Sequence, residues 1–570
     1  MRTATQGGEM LARMPALLKR LIVPVGVLLM AAYAFFVRCE HLFNPDHYFI
    51  ISPDSHFFHW QAERVMAGES IPMRLHSGLT YPLVYLAKAF AWIFGLESAE
   101  ALRLASMLLS PVLGVIGLLI LYFAVAKMYD RRTALLSAFV WSIMWVAYFF
   151  QSGGYLDRDP LTMLLIMLGA YAFHFSAEWR FDVYGHNLGW VVGASLVLAV
   201  QVLLFIEWLW LGPVVLLIVL FGAFAAQVLA AIWSDRASRI LRIDNLLVVA
   251  REALSGIPGG IRQSNWRPLL LILAVSLIGV TVNPGLPAIL RTGAEVAGGG
   301  EQASELAGLS LSQLLGFNLL IVPIVAGIYV GLKHRRTSDC LHLGWFVILF
   351  AAGMISTRLF FYVAPAAAAI GGLGLSFVLS FNVRRQWLRY AKRVAVGLLL
   401  FLLVLGSLSS PYRVGSVAPV AANNDWEDAL TWLEDNTPEE SVIMSWWDYG
   451  YWILDMAHRK PVVNNGIHPD EADLDIARVY LSTDDSEAVG IMRKYGAKYL
   501  ILSSVEYRIL PSLTHRILEK SYGDGHSIPS EIADSLYSRS LSPDFSSMFL
   551  KRVYTDPTVD KIDVVVLQLV

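Results

Sequence analysis

The chain has 570 residues, of which 56% are hydrophobic and only 16% charged, with a mean hydropathy of +0.55. Soluble domains run near 25% charged, so this composition excludes a disordered chain and argues against a soluble globular one. The 44 Lys and Arg against 46 Asp and Glu leave a net charge of −2, which provides no global basic field for nucleic acid. Cys39 and Cys340 alone exclude a disulfide framework.

Apolar runs able to cross about 30 Å of hydrocarbon fall near 19–37, 104–125, 133–150, 160–177, 188–206, 209–233, 268–283, 316–332, 342–356, 359–380 and 391–409. The stretch 160–233 is apolar enough to hide one or two further short helices, so about 11–13 transmembrane helices are expected. The first run is long and is followed by Phe36-Val37-Arg38-Cys39, without the small-residue site of a cleavable signal.

Loop charge gives the sidedness. Arg13, Lys19 and Arg20 lie at the N-terminus, and Lys127, Arg131 and Arg132 follow the second run. Arg236, Arg239, Arg242, Arg251, Arg262 and Arg267 lie in 234–267. Lys333, Arg335 and Arg336 come next, then Arg384, Arg385, Arg389, Lys392 and Arg393. Counted from a cytoplasmic N-terminus, all five clusters fall inside. The external segments are then 38–103, 151–159, 284–315 and the tail. Residues 1–410 form a multi-span domain in the cell membrane. Residues 411–570, where charges return, form a periplasmic or extracellular α/β domain. In that tail, 424–436 and 484–495 have helical apolar spacing, and Lys498–Ser503 and Ile562–Leu569 have strand character.

The external segments carry the chemistry. The first contains Ser52-Pro53-Asp54-Ser55-His56, the second Gly153-Gly154-Tyr155-Leu156-Asp157-Arg158-Asp159-Pro160, and the third Ser304-Glu305. Carboxylates at a span mouth are costly unless they meet a cation, and an Asp-X-Asp pair presents oxygen to Mg²⁺ or Mn²⁺. Asp159 before Pro160 equally suits a helix cap. The tail contains Ser445-Trp446-Trp447-Asp448-Tyr449-Gly450-Tyr451-Trp452. Such an aromatic run is either core or, with a carboxylate in its middle, the wall of a pocket for a hydroxyl-bearing side chain.

The run Trp446–Gly450 resembles the signature of the catalytic subunit of N-oligosaccharyltransferase, prokaryotic single-subunit type. Asp54, the Asp157/Asp159 pair, Ser304-Glu305 and the segment Thr357-Arg358-Leu359-Phe360-Phe361-Tyr362 follow that family's order. The resemblance implies a glycosyltransferase type C-like membrane domain. The implied activity is metal-dependent, inverting transfer of a glycan from a lipid-linked oligosaccharide, on a polyprenyl phosphate or diphosphate, to Asn in Asn-X-Ser/Thr of an acceptor protein. It also implies catalytic roles for Asp54, Glu305 and Asp157, and Mn²⁺ or Mg²⁺ on Asp54, Asp157, Asp159 and Glu305. Trp446, Trp447 and Asp448 would hold the Ser/Thr hydroxyl. Arg358, His468 and Tyr451 would face the donor phosphate. The chain would act in membrane lipid as a single subunit, without nucleic acid. Three family features are missing. The second sequon-contacting motif of the tail has no clean match, although Glu506-Tyr507-Arg508-Ile509 and Leu513 sit near its place. Phe150 stands where many members have Arg, and no Arg lies between Glu305 and Lys333, so no acidic residue upstream of the acceptor Asn should be required. The competing readings are another polyprenyl-phosphate-sugar glycosyltransferase and a transporter. Transporters bury their ionisable groups near the membrane midplane, whereas these acids lie at span ends.

Overall fold

The computed structural model describes residues 16–39, 42, 53–70, 78–144, 151–152, 154–176, 178–179, 182–183, 186–208, 211–240, 266–282, 319–354, 357–381, 385–408, 424–464, 470–504, 506, 533–555 and 564–570. In chain order the helices begin with α1 Ala16–Cys39, α2 Pro53–Met66, α3 Thr80–Phe94, α4 Ser98–Met128, α5 Arg131–Ile143 and α6 Asp159–Ser176. A hairpin of β1 Asp182–Val183 and β2 His186–Asn187 precedes α7 Gly189–Trp208, α8 Leu211–Ile240, α9 Trp266–Val282, α10 Ile321–His334 and α11 Thr337–Gly353. Next come α12 Thr357–Phe360, a 3₁₀ turn Phe361–Val363, α13 Ala364–Ser380 and α14 Gln386–Leu408. The tail holds α15 Asn424–Asn436, β3 Val442–Met444, α16 Gly450–Asp455, β4 Lys460–Pro461, α17 Asp470–Leu481, α18 Asp485–Lys494, β5 Ala497–Ser503, α19 Leu536–Ser540, β6 Leu550–Thr555 and β7 Val564–Leu569.

The chain divides into two compact units. Unit 1 comprises residues 1–40, 110–152 and 158–413, and unit 2 comprises 41–109, 153–157 and 414–570. The tail therefore shares its unit with the first external segment and with the loop that ends at Asp157.

In unit 1 each expected apolar run is matched by a helix, and between 159 and 240 the described residues add only the small hairpin. Ser98–Met128, Gly212–Trp233 and Phe361–Ser380 are long and apolar enough to cross a membrane, and Val23–Cys39, Gly189–Leu204, Ile321–His334 and Thr337–Gly353 are shorter apolar helices. Their outer faces expose Leu28, Phe123, Val202, Phe221 and Val347, and α14 exposes Phe401, as a lipid-facing surface does. The inner faces meet through missing side chains. A Cβ on Gly327 would lie 1.9 Å from the Ile370 carbonyl oxygen, and one on Gly374 1.9 Å from that of Pro323. Gly344 and Gly222 meet the same way, 2.2 Å from a Cβ on the first to the carbonyl oxygen of the second. Apolar burial gives little drive between helices already in lipid, so close backbone approach replaces it.

Unit 2 is built on a five-stranded sheet of order β4-β3-β5-β7-β6. β3 runs parallel to β4 and β5, while β7 is antiparallel to β5 and β6. Val564–Leu567 and Leu500–Leu502 are fully buried, as are Leu430 and Leu433 of α15 and Ile476 and Val479 of α17. This is the α/β tail that the returning charge and strand-like runs point to.

Candidate functional site

In unit 2, Asp54 is the second residue of α2, where the positive end of the helix dipole favours a carboxylate. The next side chain ties down the second acidic segment: Ser55 Oγ, fully buried, accepts the Leu156 N–H at 2.9 Å. Gly154, at φ +70°, turns the chain there, and its N–H donates to the Met107 carbonyl at 3.0 Å. Asp54 and Asp157 thus flank the two ends of one hydrogen bond, with Asp157 buried and Asp54 half-buried. Both offer the hard oxygen that Mg²⁺ and Mn²⁺ take. Among the described residues, no group of three or more His, Cys, Asp and Glu is arranged to hold a metal ion. The expected set also draws on Asp159, which belongs to unit 1, and on Glu305, which lies outside the described residues.

The aromatic motif divides by exposure. β3 leads into Ser445 and Trp446, a 3₁₀ turn spans Trp447–Tyr449, and α16 begins at Gly450. Tyr449 and Trp452 are core, packed on Trp426 with ring centroids at 4.3 and 5.1 Å. Trp446 is buried, whereas Trp447 and Asp448 are half-exposed, with the two Trp rings 6.1 Å apart. Tyr449 and Trp452 are thus committed to the core, while Trp447 and Asp448 keep an accessible face. Gly450 is dictated by space, since a Cβ would lie 2.2 Å from the Val463 carbonyl oxygen.

Behind the motif lies a buried chain of polar groups. Trp446 N–H donates to Tyr480 Oη at 2.8 Å, Tyr480 O–H donates to Glu506 Oε1 at 2.9 Å, and Ser503 N–H donates to Glu506 Oε2 at 3.0 Å. Burial pushes the Glu506 carboxyl up to about 8, against the pull of the Ser503 and Tyr480 hydrogen bonds and with the added push of Asp448. In the sequence, Glu506 lies near the place of the family's second sequon-contacting motif without a clean match to it, and Tyr480 shows only as one position on a helix face.

In unit 1, Asp159 opens α6 and is buried. Its Oδ1 accepts from Tyr362 O–H at 2.5 Å, and Trp345 Nε1–H donates to the Tyr362 carbonyl at 2.8 Å. The aromatic segment after Arg358 is thereby joined to the second acid of the pair. Arg358 lies in α12, and its side chain is outside the described residues. Phe150 is outside them too, but an arginine does reach this part of the chain: Arg38 donates through Nε and Nη2 to Gln151 Oε1, at 3.0 and 2.8 Å, in full burial. His468 also lies outside the described residues. Tyr451, expected near the donor phosphate, is 5% exposed and packs on Phe57 with ring centroids at 4.5 Å.

Residues 438–506 match the AglB core domain family model. Over 557 residues the chain is 22% identical to dolichyl-phosphooligosaccharide-protein glycotransferase 1 of Archaeoglobus fulgidus, covering 85% of this chain and 87% of the relative. The structure resembles that of an A. fulgidus oligosaccharyltransferase tethered to an acceptor peptide containing the NVT sequon, with a TM-score of 0.68 and 18% identity over 96% of this chain and 80% of that one. It also resembles A. fulgidus AglB in complex with an inhibitory peptide and a dolichol-phosphate, with a TM-score of 0.66 and 16% identity over 95% of this chain and 80% of that one. The polytopic helical fold with an α/β tail is shared with these membrane proteins.

Proposed function

We propose that this chain, a homologue of the archaeal dolichyl-phosphooligosaccharide-protein glycotransferases that shares their fold, is itself a membrane-bound oligosaccharyltransferase. It transfers a glycan from a polyprenyl phosphate or diphosphate to the Asn amide of Asn-X-Ser/Thr. The observation that carries this reading is the composition of unit 2. Asp54, Asp157 and the accessible face of Trp447 and Asp448 belong to one folded body, with Ser55 and Leu156 binding the two acidic segments together.

An amide nitrogen is a poor nucleophile because its lone pair is delocalised into the carbonyl. Asp54 and Glu305 accept hydrogen bonds from the acceptor N–H groups and weaken that delocalisation. The nitrogen attacks the anomeric carbon opposite the leaving phosphate. The C–N bond forms as the C–O bond breaks, the configuration inverts, and the amide proton passes to a carboxylate. Asp54, Asp157, Asp159 and Glu305 would hold Mn²⁺ or Mg²⁺, which would supply Lewis-acid neutralisation of the phosphate charge. Arg358, His468 and Tyr451 answer the same charge. Trp446, Trp447 and Asp448 receive the Ser/Thr hydroxyl, and a site built to pair a hydroxyl strongly rejects an acceptor that lacks it. The five basic clusters put unit 2 outside the cytoplasm, and the chain works as a single subunit.

The test uses the full chain in lipid nanodiscs with lipid-linked glycan and three Asn peptides. One carries an acid two residues before Asn, one carries Ala there, and one has Ala in place of Ser/Thr. The first two should gain glycan mass at similar rates and the third scarcely at all. EDTA should stop transfer and Mn²⁺ restore it. Equal use of all three peptides removes the sequon reading, and full activity in chelator removes the metal.

A further inference from the structure

Within unit 2 the Asp54-bearing helix meets the helix after the aromatic motif through a buried polar cluster. The His56 Nδ1–H donates to Asp455 Oδ2 at 2.6 Å and the His59 Nδ1–H to Oδ1 at 2.9 Å, across 399 and 396 positions of chain. Burial alone would push the Asp455 carboxyl up, but the charge of His59 and the hydrogen bonds from both rings hold it down to about 2. It is therefore an ionised acceptor and the rings are its donors. Around this cluster Phe57 lies on Tyr451 at 4.5 Å and the edge of His56 meets Trp452 at 6.2 Å. His56 and His59 are i,i+3 on α2, and Tyr451 and Asp455 are i,i+4 on α16, so one face of each helix is used. His59 Nε2 has no hydrogen-bond partner among the described residues, so Asp455 is the ring's polar anchor there.

Two helices could pack as tightly with apolar side chains, since a buried ion pair adds little net stability over well-packed hydrophobic residues. What a carboxylate gripped by two rings adds is a single register, because sliding or rotating either helix strands a buried charge. The chain two residues before His56 carries Asp54, and the chain seven residues before Asp455 carries Asp448. We propose that Asp455, held by His56 and His59, is a positioning residue that fixes the Asp54 carboxylate relative to the Ser/Thr pocket. This rests on the function proposed above. It adds that amide activation and acceptor recognition are set in one frame by a contact that touches neither substrate.

The experiment compares the full-length wild type with Asp455→Asn, His59→Phe and His59→Asn. The last keeps an N–H near the place of Nδ1. Amide hydrogen exchange needs no activity, and it should speed up in 53–66 for Asp455→Asn and His59→Phe while 470–494 stays as in wild type. In transfer assays those two variants should lose about tenfold to a hundredfold in kcat, the scale of a misplacement near 1 Å, with acceptor-peptide KM within about threefold. His59→Asn should recover most of the kcat. Exchange unchanged in 53–66, or faster exchange with kcat intact, overturns the proposal. So does a KM that rises as kcat falls, which marks general loss of the fold. A wild type that transfers no glycan removes the functional reading instead, and the exchange data still decide whether the clamp holds α2.

Discussion

Tyr480→Phe removes a single oxygen from behind the aromatic motif, and its cost follows from the geometry. The ring is fully buried and lies against Tyr537 with centroids at 6.2 Å and an interplanar angle of 25°, so phenylalanine keeps the packing. Two hydrogen bonds disappear, the one accepted from Trp446 N–H and the one donated to Glu506. Stranding a buried N–H costs about 1–3 kcal/mol, and losing the second bond about 0.5–1.5 kcal/mol net, giving roughly 2–4 kcal/mol together. The penalty falls first on the backbone of Trp446, whose amide should exchange with deuterium roughly thirtyfold to several hundredfold faster. Acceptor-peptide affinity should fall with it, while exchange in unit 1 is unchanged. Hydrogen–deuterium exchange resolved to the peptide containing residue 446 is the assay. Wild-type exchange there, with wild-type peptide affinity, would refute the assignment of Tyr480 as the support of the motif.

The same polar chain makes stability depend on pH. Burial raises the folded Glu506 to about 8 from an ordinary 4.5, so between those values the folded state holds more protons than the unfolded one. This contribution is fully present below about 4.5 and is lost as pH rises through 8, at no more than about 1.4 kcal/mol per unit. Denaturant midpoints of unit 2 fluorescence should show the fall in wild type and a flatter profile in Glu506→Gln. Gly450→Ala places a methyl group 2.2 Å from one backbone carbonyl oxygen and 2.6 Å from the Cα of Asn464. It should destabilise unit 2 by about 1–3 kcal/mol or more and abolish peptide binding in an anisotropy titration. Ser55→Ala leaves the Leu156 N–H without its buried acceptor. It should lower kcat about tenfold with peptide affinity held, and equal losses in both would count against a role specific to the acidic segment.

How much of this was legible in the sequence depended on element length. The spans follow from hydropathy, which sums over many residues, and α15, α18, β5 and β7 announced themselves by periodicity over six or more positions. β4, with two residues, and β3, with three, are too short to show any period, and Leu550–Thr555 interrupts its apolar pattern with Lys551 and Arg552. The first external segment was expected only as a loop, yet it supplies α2 and α3. Thr80–Phe94 is apolar but, at 15 residues, falls short of a span. Of the candidate site, Asp54, Asp157 and Trp447–Asp448 could be proposed from the sequence because they stand out locally. Asp455, Tyr480 and Glu506 could not, since each is an ordinary helix or strand-end residue until the fold brings its partner from 26 to 399 positions away.

The glycines between α10 and α13 act as shims. Tyr362, whose hydroxyl meets Asp159, sits 12 residues before Gly374, or about 18 Å up the same span at 1.5 Å per residue. The height and tilt of that hydroxyl are therefore machined by hydrogen atoms more than three turns below it, where α13 rests on the Pro323 carbonyl. Adding one carbon at position 374 would lever the far end of the span, and its first symptom would appear at a carboxylate it never approaches.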